Sequence, residues 1–219
     1  MNYVDICPPA VVYQIQQADL RSAASSNLIT WVEENSDRQC AIAAMEAIAA
    51  RLTVDSDLSV IDLFCNAVAS YAHMLDADQK AVIREAYLHF PYNPAISFNY
   101  FLGLRNTHID LREELHGRVK INWDFHSPRR DAETWDYYLY LATMDEPGAL
   151  EALAHKIAET KNGNDATLLL MSLAEVPGKG VDDILKLYAN DKRTADAVDG
   201  PGLPISANVG LLFMMRGTN

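Results

Sequence analysis

No stretch of this sequence is both long enough and apolar enough to cross a bilayer. The longest apolar-rich stretches, QCAIAAMEAIAARL and TLLLMSLA, are too short or too interrupted to span a hydrocarbon core, so no membrane role is expected. The N-terminus, MNYVDICPPA, has neither a basic start nor an apolar run behind it, and no signal peptide is read there. Positive charge is in deficit: 18 Lys and Arg against 30 Asp and Glu leave a net charge of -12. A nucleic-acid binder needs a basic face to release counterions, so direct nucleic-acid binding is not expected either. Cysteine is scarce. Cys7, Cys40 and Cys65 fit no zinc framework, and an odd, sparse set reads as reduced thiols in a cytoplasmic protein.

Catalytic motifs are missing as well. No G-x-S-x-G occurs, so an α/β-hydrolase elbow is absent. PGKG, at 177–180, lacks the earlier glycine and the Ser/Thr of a phosphate loop and reads as a turn between helices. Asp76-x-Asp78 begins like a calcium loop, but Lys80 takes the next ligand position and Tyr87 sits where glutamate is needed. Glu113-x-x-His116 has the spacing of a di-iron half-site. If Leu111 and Leu115 set the buried face, however, Glu113 points about 160° away from it, into solvent. No metal and no cofactor is expected.

What is present is a helical pattern with a core. Hydrophobic residues make up 49% of the 219 positions and charged residues 22%, enough for one large domain or two small ones. Asp37 is placed to cap QCAIAAMEAIAARL, where Ile42, Met45, Ala49 and Leu52 make one stripe. Leu58, Ile61, Cys65, Val68, Ala72 and Leu75 make another. Asp76 with Gln79 has the form of a capping box before QKAVIREAYLHF, and Thr107 with Asp110 resembles one before LREELHGRV. About ten short helices follow one another, which argues an all-α array or irregular bundle, with a solenoid-like arrangement allowed by helix length. A single helical domain is expected over 1–200, with a Gly/Pro-rich, then apolar, irregular tail over 201–219 that docks on the array or on a neighbouring subunit.

One stretch breaks the pattern. VKINWDFHSPRR, from 119 to 130, alternates apolar and polar residues up to 126, as an extended segment with Val119, Ile121, Trp123 and Phe125 on one side. Ser127-Pro128 then opens RRDAETWDYYLYLAT, where Trp135, Tyr138, Leu139 and Ala142 form one stripe and Tyr137, Leu141 and Met144 a second. Arg129 and Arg130 fall in its first turn, against the helix dipole. Residues 87–140 carry 12 of the 19 aromatics and 4 of the 6 histidines and are close to neutral, with 7 acids and 6 bases, between acidic flanks. Aromatics and arginine enrich interfaces, and aromatics equally enrich helical cores.

The reading is a non-catalytic protein-binding module. It would be an assembly or adaptor subunit, or an acidic inhibitor or immunity-type partner of a basic protein. Its candidate binding residues are Trp123, Phe125, His126, Arg129, Arg130, Tyr137, Phe213 and Met214, and copies would associate through the tail. The alternative is an enzyme whose site is assembled in space from His108, Asp110, His116, Asp124 and His126.

Overall fold

The structure is a computed structural model that describes residues 2–121, 128–197 and 200–217, with side chains at 2–121, 133–195 and 203–217. Among these residues there are thirteen α-helices: α1 (Tyr3–Ile6), α2 (Pro9–Gln17), α3 (Leu28–Asn35), α4 (Arg38–Ala49), α5 (Leu58–Tyr71), α6 (Ala77–His89), α7 (Ser97–Thr107), α8 (Arg112–Leu115), α9 (Pro128–Thr143), α10 (Ala149–Glu159), α11 (Gly163–Ala174), α12 (Lys179–Leu187) and α13 (Ile205–Gly217). A two-stranded antiparallel sheet, β1 (Thr194–Ala197) with β2 (Gly200–Pro204), is the exception to an all-α array. The chain divides into two units, 1–120 and 121–219.

Local chemistry explains where the helices start. The Asp37 carboxylate accepts from the Cys40 amide at 2.9 Å and opens α4. Asp57 does the same for α5 through Ser59, and Asn162 for α11 through Asn164 and Asp165. Asp76 and Gln79 form the reciprocal capping box at the head of α6. The expected pair at Thr107 and Asp110 differs. Thr107 is the last residue of α7, buried, and its hydroxyl donates back to the Gly103 carbonyl. The helix that follows is a single turn, α8, opened by Asp110, which accepts from the Arg112 amide.

In the first unit both apolar stripes are buried as expected, except for a half-exposed Leu58 at the start of α5. The expectation of reduced thiols is corrected: Cys7 and Cys40 form a disulfide with Cα atoms 4.9 Å apart. The spacing gave no sign of it, because α1 and α4 meet only in the folded chain. α1 buries none of its residues fully, Tyr3 and Ile6 being half-buried, and the bond at its C-terminal end adds a covalent tie to α4. Behind it, Phe64, Tyr87, Phe90 and Tyr100 pack edge-on or tilted, with ring centroids 4.9 to 6.2 Å apart. At Gly103 the backbones of α5 and α7 come close enough that a Cβ would lie 2.2 Å from the Tyr87 hydroxyl and 3.1 Å from the Cys65 carbonyl. Much of the aromatic enrichment read from the sequence is therefore core: Tyr87, Phe90, Tyr100 and Phe101, and in the second unit Trp135 and Tyr140, are all buried.

The second unit closes around Trp135, Leu139, Leu153, Ile157, Leu170 and Leu185. The segment from 201, expected to be an irregular tail, is instead β2 followed by α13, and Ile205, Val209 and Leu212 of α13 are part of this core. Those three recur at one helical face, and Pro201 is tolerated in a two-stranded sheet, where both strands are edges. Gly163, the first residue of α11, lies under β1: a Cβ there would stand 1.9 Å from the Thr194 carbonyl oxygen. Of the expected extended segment, Val119 is buried at a bend and Ile121 is exposed, with no strand pairing; Trp123, Phe125 and His126 lie outside the described residues.

Two outcomes test this account. Gly163→Ala forces β1 backbone off α11 and should cost about 1–3 kcal/mol in urea unfolding, by the usual penalty of overpacking; an unchanged midpoint would contradict the close approach. Removing the disulfide as Cys7→Ser/Cys40→Ser should cost ~3–4 kcal/mol for a loop of this length. In denaturant without reductant, only Cys65 should react with a thiol reagent; three reactive thiols per chain would show that the bond does not form.

Candidate functional site

Helices this short leave many unpaired backbone carbonyls at their C-termini, and the chain answers with arginines from elsewhere in the sequence. Arg51 donates to the carbonyls of Ile15 and Ala18 at the end of α2. Arg193 donates to Ile157, at 3.0 Å, and to Thr160 at the end of α10. Arg216 donates to Val176 at 2.7 Å and Gly178 at 2.9 Å, just past α11, and to Asp182 at 2.6 Å. In each case a cation sits at the negative end of a helix dipole. Side-chain hydrogen bonds between helices such as Arg84 to Glu114 and Arg216 to Ala174 span 30 and 42 residues. That is about one helix pair, so each helix is tied to its near neighbours in the chain, as in stacked helical arrays.

Arg193 and Arg216 are held by carboxylates as well. The Arg193 guanidinium pairs with Asp191 through Nε at 3.0–3.1 Å and lies 5.7 Å from the centre of the Tyr188 ring. Its hydrogen bonds hold the Asp191 carboxyl below the usual range, and Arg112 does the same to Asp110. Arg84 bonds Glu114 at 2.6 Å, and Arg21 bonds Asp19 at 3.0 Å. Burial pushes the Cys65 thiol up to about 12, so it stays protonated and is no nucleophile at neutral pH.

The sequence-derived site residues are spread out. Arg129 and Arg130 are in the first turn of α9, where the backbone alone is described. Tyr137 is buried on α9, Phe213 is half-buried against the core of the second unit, and Met214 is exposed. Of the set weighed for an enzyme, His108 is an exposed C-cap in left-handed conformation with φ 55°, His116 is exposed past α8, and Asp110 is occupied by Arg112. Asp124 and His126 lie outside the described residues. Glu113 faces solvent, as its angle from Leu111 and Leu115 required. Among the described residues, no group of three His, Cys, Asp or Glu side chains is gathered as cation ligands. An open groove of about 570 Å³ is lined by Asp19, Arg21, Arg51 and Asp55, but Arg21 is held by Asp19 and Arg51 by backbone carbonyls.

A surface missed at the level of individual residues lies on α11 and α13. The two helices run side by side in the same direction. Asn208 donates to Thr167 near one end, at 3.5 Å, and Arg216 reaches the carbonyls after α11 at the other. On their outer side Leu168, Met171, Leu211, Met214 and Met215 are exposed. The charge on α13, Arg216, is turned inward, so its outer face of Ala207, Gly210, Leu211, Met214 and Met215 carries none. The signal in the sequence is that α13 carries only Ser206, Asn208 and Arg216 as polar side chains and has no continuous polar face, where a surface helix ordinarily has one.

Set against models of known families, curated proteins and solved structures, the chain matches none.

The Asp191–Arg193 pair predicts an acid-sensitive contribution to stability. A carboxyl lowered in the folded state stabilises it fully above its unfolded pKa, and the contribution is lost as pH falls through the folded value. Asp191→Asn should therefore be destabilised relative to wild type at neutral pH, and the gap should close below about pH 4. Urea unfolding across that range checks it; a gap independent of pH would remove the ion pair as its cause.

Proposed function

We propose that this chain is a non-catalytic protein-binding module, an assembly or adaptor subunit or an acidic inhibitor of a basic protein. The observation that carries the reading is the net charge of -12, with many of its carboxylates exposed. Arg21, Arg51, Arg84, Arg112, Arg193 and Arg216 are occupied by carboxylates or backbone carbonyls of their own fold. Carboxylates such as Asp5, Glu33, Glu34, Asp78, Glu151 and Asp165 face water. What the molecule offers a partner is mainly negative, which steers a basic protein toward it and repels an acidic one. Arg129 and Arg130, in a stretch of the sequence that is nearly neutral between acidic flanks, are by residue type suited to gripping a carboxylate of that partner.

Affinity capture from the native cell with mass-spectrometric identification tests this. Baits are wild type, Glu33→Lys/Glu34→Lys and Arg129→Glu/Arg130→Glu, each shown to be folded. The expected result is a stoichiometric partner of net positive charge, released as salt rises and held at least several-fold more weakly by Glu33→Lys/Glu34→Lys. Loss with Arg129→Glu/Arg130→Glu would put the interface at the start of α9, and retention would move it. A partner indifferent to salt and to charge reversal would overturn the electrostatic reading. No partner with any bait would overturn the binding module itself.

A further inference from the structure

We propose that the outer face of α11 and α13 is a self-association surface, on which two copies of this chain form a closed dimer. Leu168, Met171, Leu211, Met214 and Met215 are 63, 50, 54, 63 and 66% exposed on this one side. Together they present on the order of 600 Å² of apolar surface. That is at the upper end of what an isolated soluble chain leaves contiguous, about 300–600 Å², and approaches the ~800 Å² per partner of a standard interface.

The chemistry of the strip selects its occupant. A basic peptide would need carboxylates along the groove. The outer face of α13 has none, and on α11 Asp165 and Glu175 stand at the two ends of the Leu168–Met171 turn rather than within it. An uncharged apolar strip is instead its own complement. A twofold axis lays it on its copy, every contact occurs twice, and the assembly closes at two. Gly210 adds room, since a Cβ there would meet nothing within 4 Å, so a second helix can approach the α13 backbone. Methionine side chains adapt to such a contact.

The opposing force is the -12 charge of each copy. Salt screens that repulsion without weakening apolar burial, so self-association should strengthen as salt rises. Binding of a basic partner has the opposite salt dependence. The dimer does not rest on the basic-partner reading, and each can fail alone.

The experiment is sedimentation velocity with light-scattering mass on the full chain, over a wide concentration range at low and high salt. The expected result is a monomer–dimer equilibrium ending at twice 24.3 kDa, shifted toward dimer by salt. Leu211→Glu and Met171→Glu should each raise the dissociation constant at least tenfold with unchanged circular dichroism. Because both residues are exposed, a variant that unfolds is replaced by Leu168→Glu. A chain that stays monomeric throughout overturns the proposal. So do oligomers that grow without limit, a dimer equally stable in these variants, or wild-type chain that binds lipid vesicles in place of itself.

Discussion

Helix ends are the constraint on which the rest of this structure depends. An α-helix leaves four amides and four carbonyls unpaired at its ends whatever its length, and a chain cut into many short helices multiplies that demand. The two kinds of end are met differently. N-termini are closed by the residue just before them, as at Asp37, Asp57, Asp76 and Asn162. Three C-termini are closed by arginines that arrive from later in the chain: Arg51, just past α4, closes α2; Arg193, just before β1, closes α10; and Arg216, in α13, closes α11. The second solution does more than satisfy carbonyls. It ties neighbouring layers together, because the donor and the helix end it closes lie about one helix pair apart.

That use of arginine sets where its charges lie. A guanidinium aimed at backbone carbonyls still carries its charge: Arg193 and Arg216 hold theirs largely out of solvent, each beside a carboxylate, while Arg51 stays exposed. Removing one such arginine would leave buried carbonyls without donors, a larger loss than a surface ion pair represents. The net charge of -12 is a matter of composition, and many of the carboxylates are exposed. The second unit carries a strip with no charge at all, on α11 and α13. The two proposed contacts would differ in force, one long-ranged and weakened by salt, the other short-ranged and indifferent to it.

Much of the array was legible in the sequence because its determinants are local. The stripes through Ile42 and Leu52 and through Ile61 and Val68 follow from helical period, and the cap at Asp37 and the box at Asp76 and Gln79 from hydrogen bonds a few residues long. The misses have a common cause. Gly200 to Pro204 reads as a break, and it is one, but α13 begins directly after it and carries no polar face from which a helix could be read. The bond between Cys7 and Cys40 joins segments 33 residues apart, with nothing in either to announce the other. Of the candidate binding residues, Tyr137 could be placed on a helix face from the sequence but not assigned to surface or interior, because both sides of α9 are apolar.

The sequence by itself determined the helical class, the helix starts at Asp37 and Asp76, the core stripes and the sign of the net charge, the first three because they depend on residues within a turn or two of one another and the last because it is composition alone. Only the tertiary structure decided which arginine closes which helix, that Gly103 and Gly163 mark the closest backbone approaches, that two cysteines pair, and that the exposed apolar side chains of α11 and α13 lie together. Those facts depend on which distant segments become neighbours, and that is set by the packing of whole helices rather than by the chemistry of any one of them.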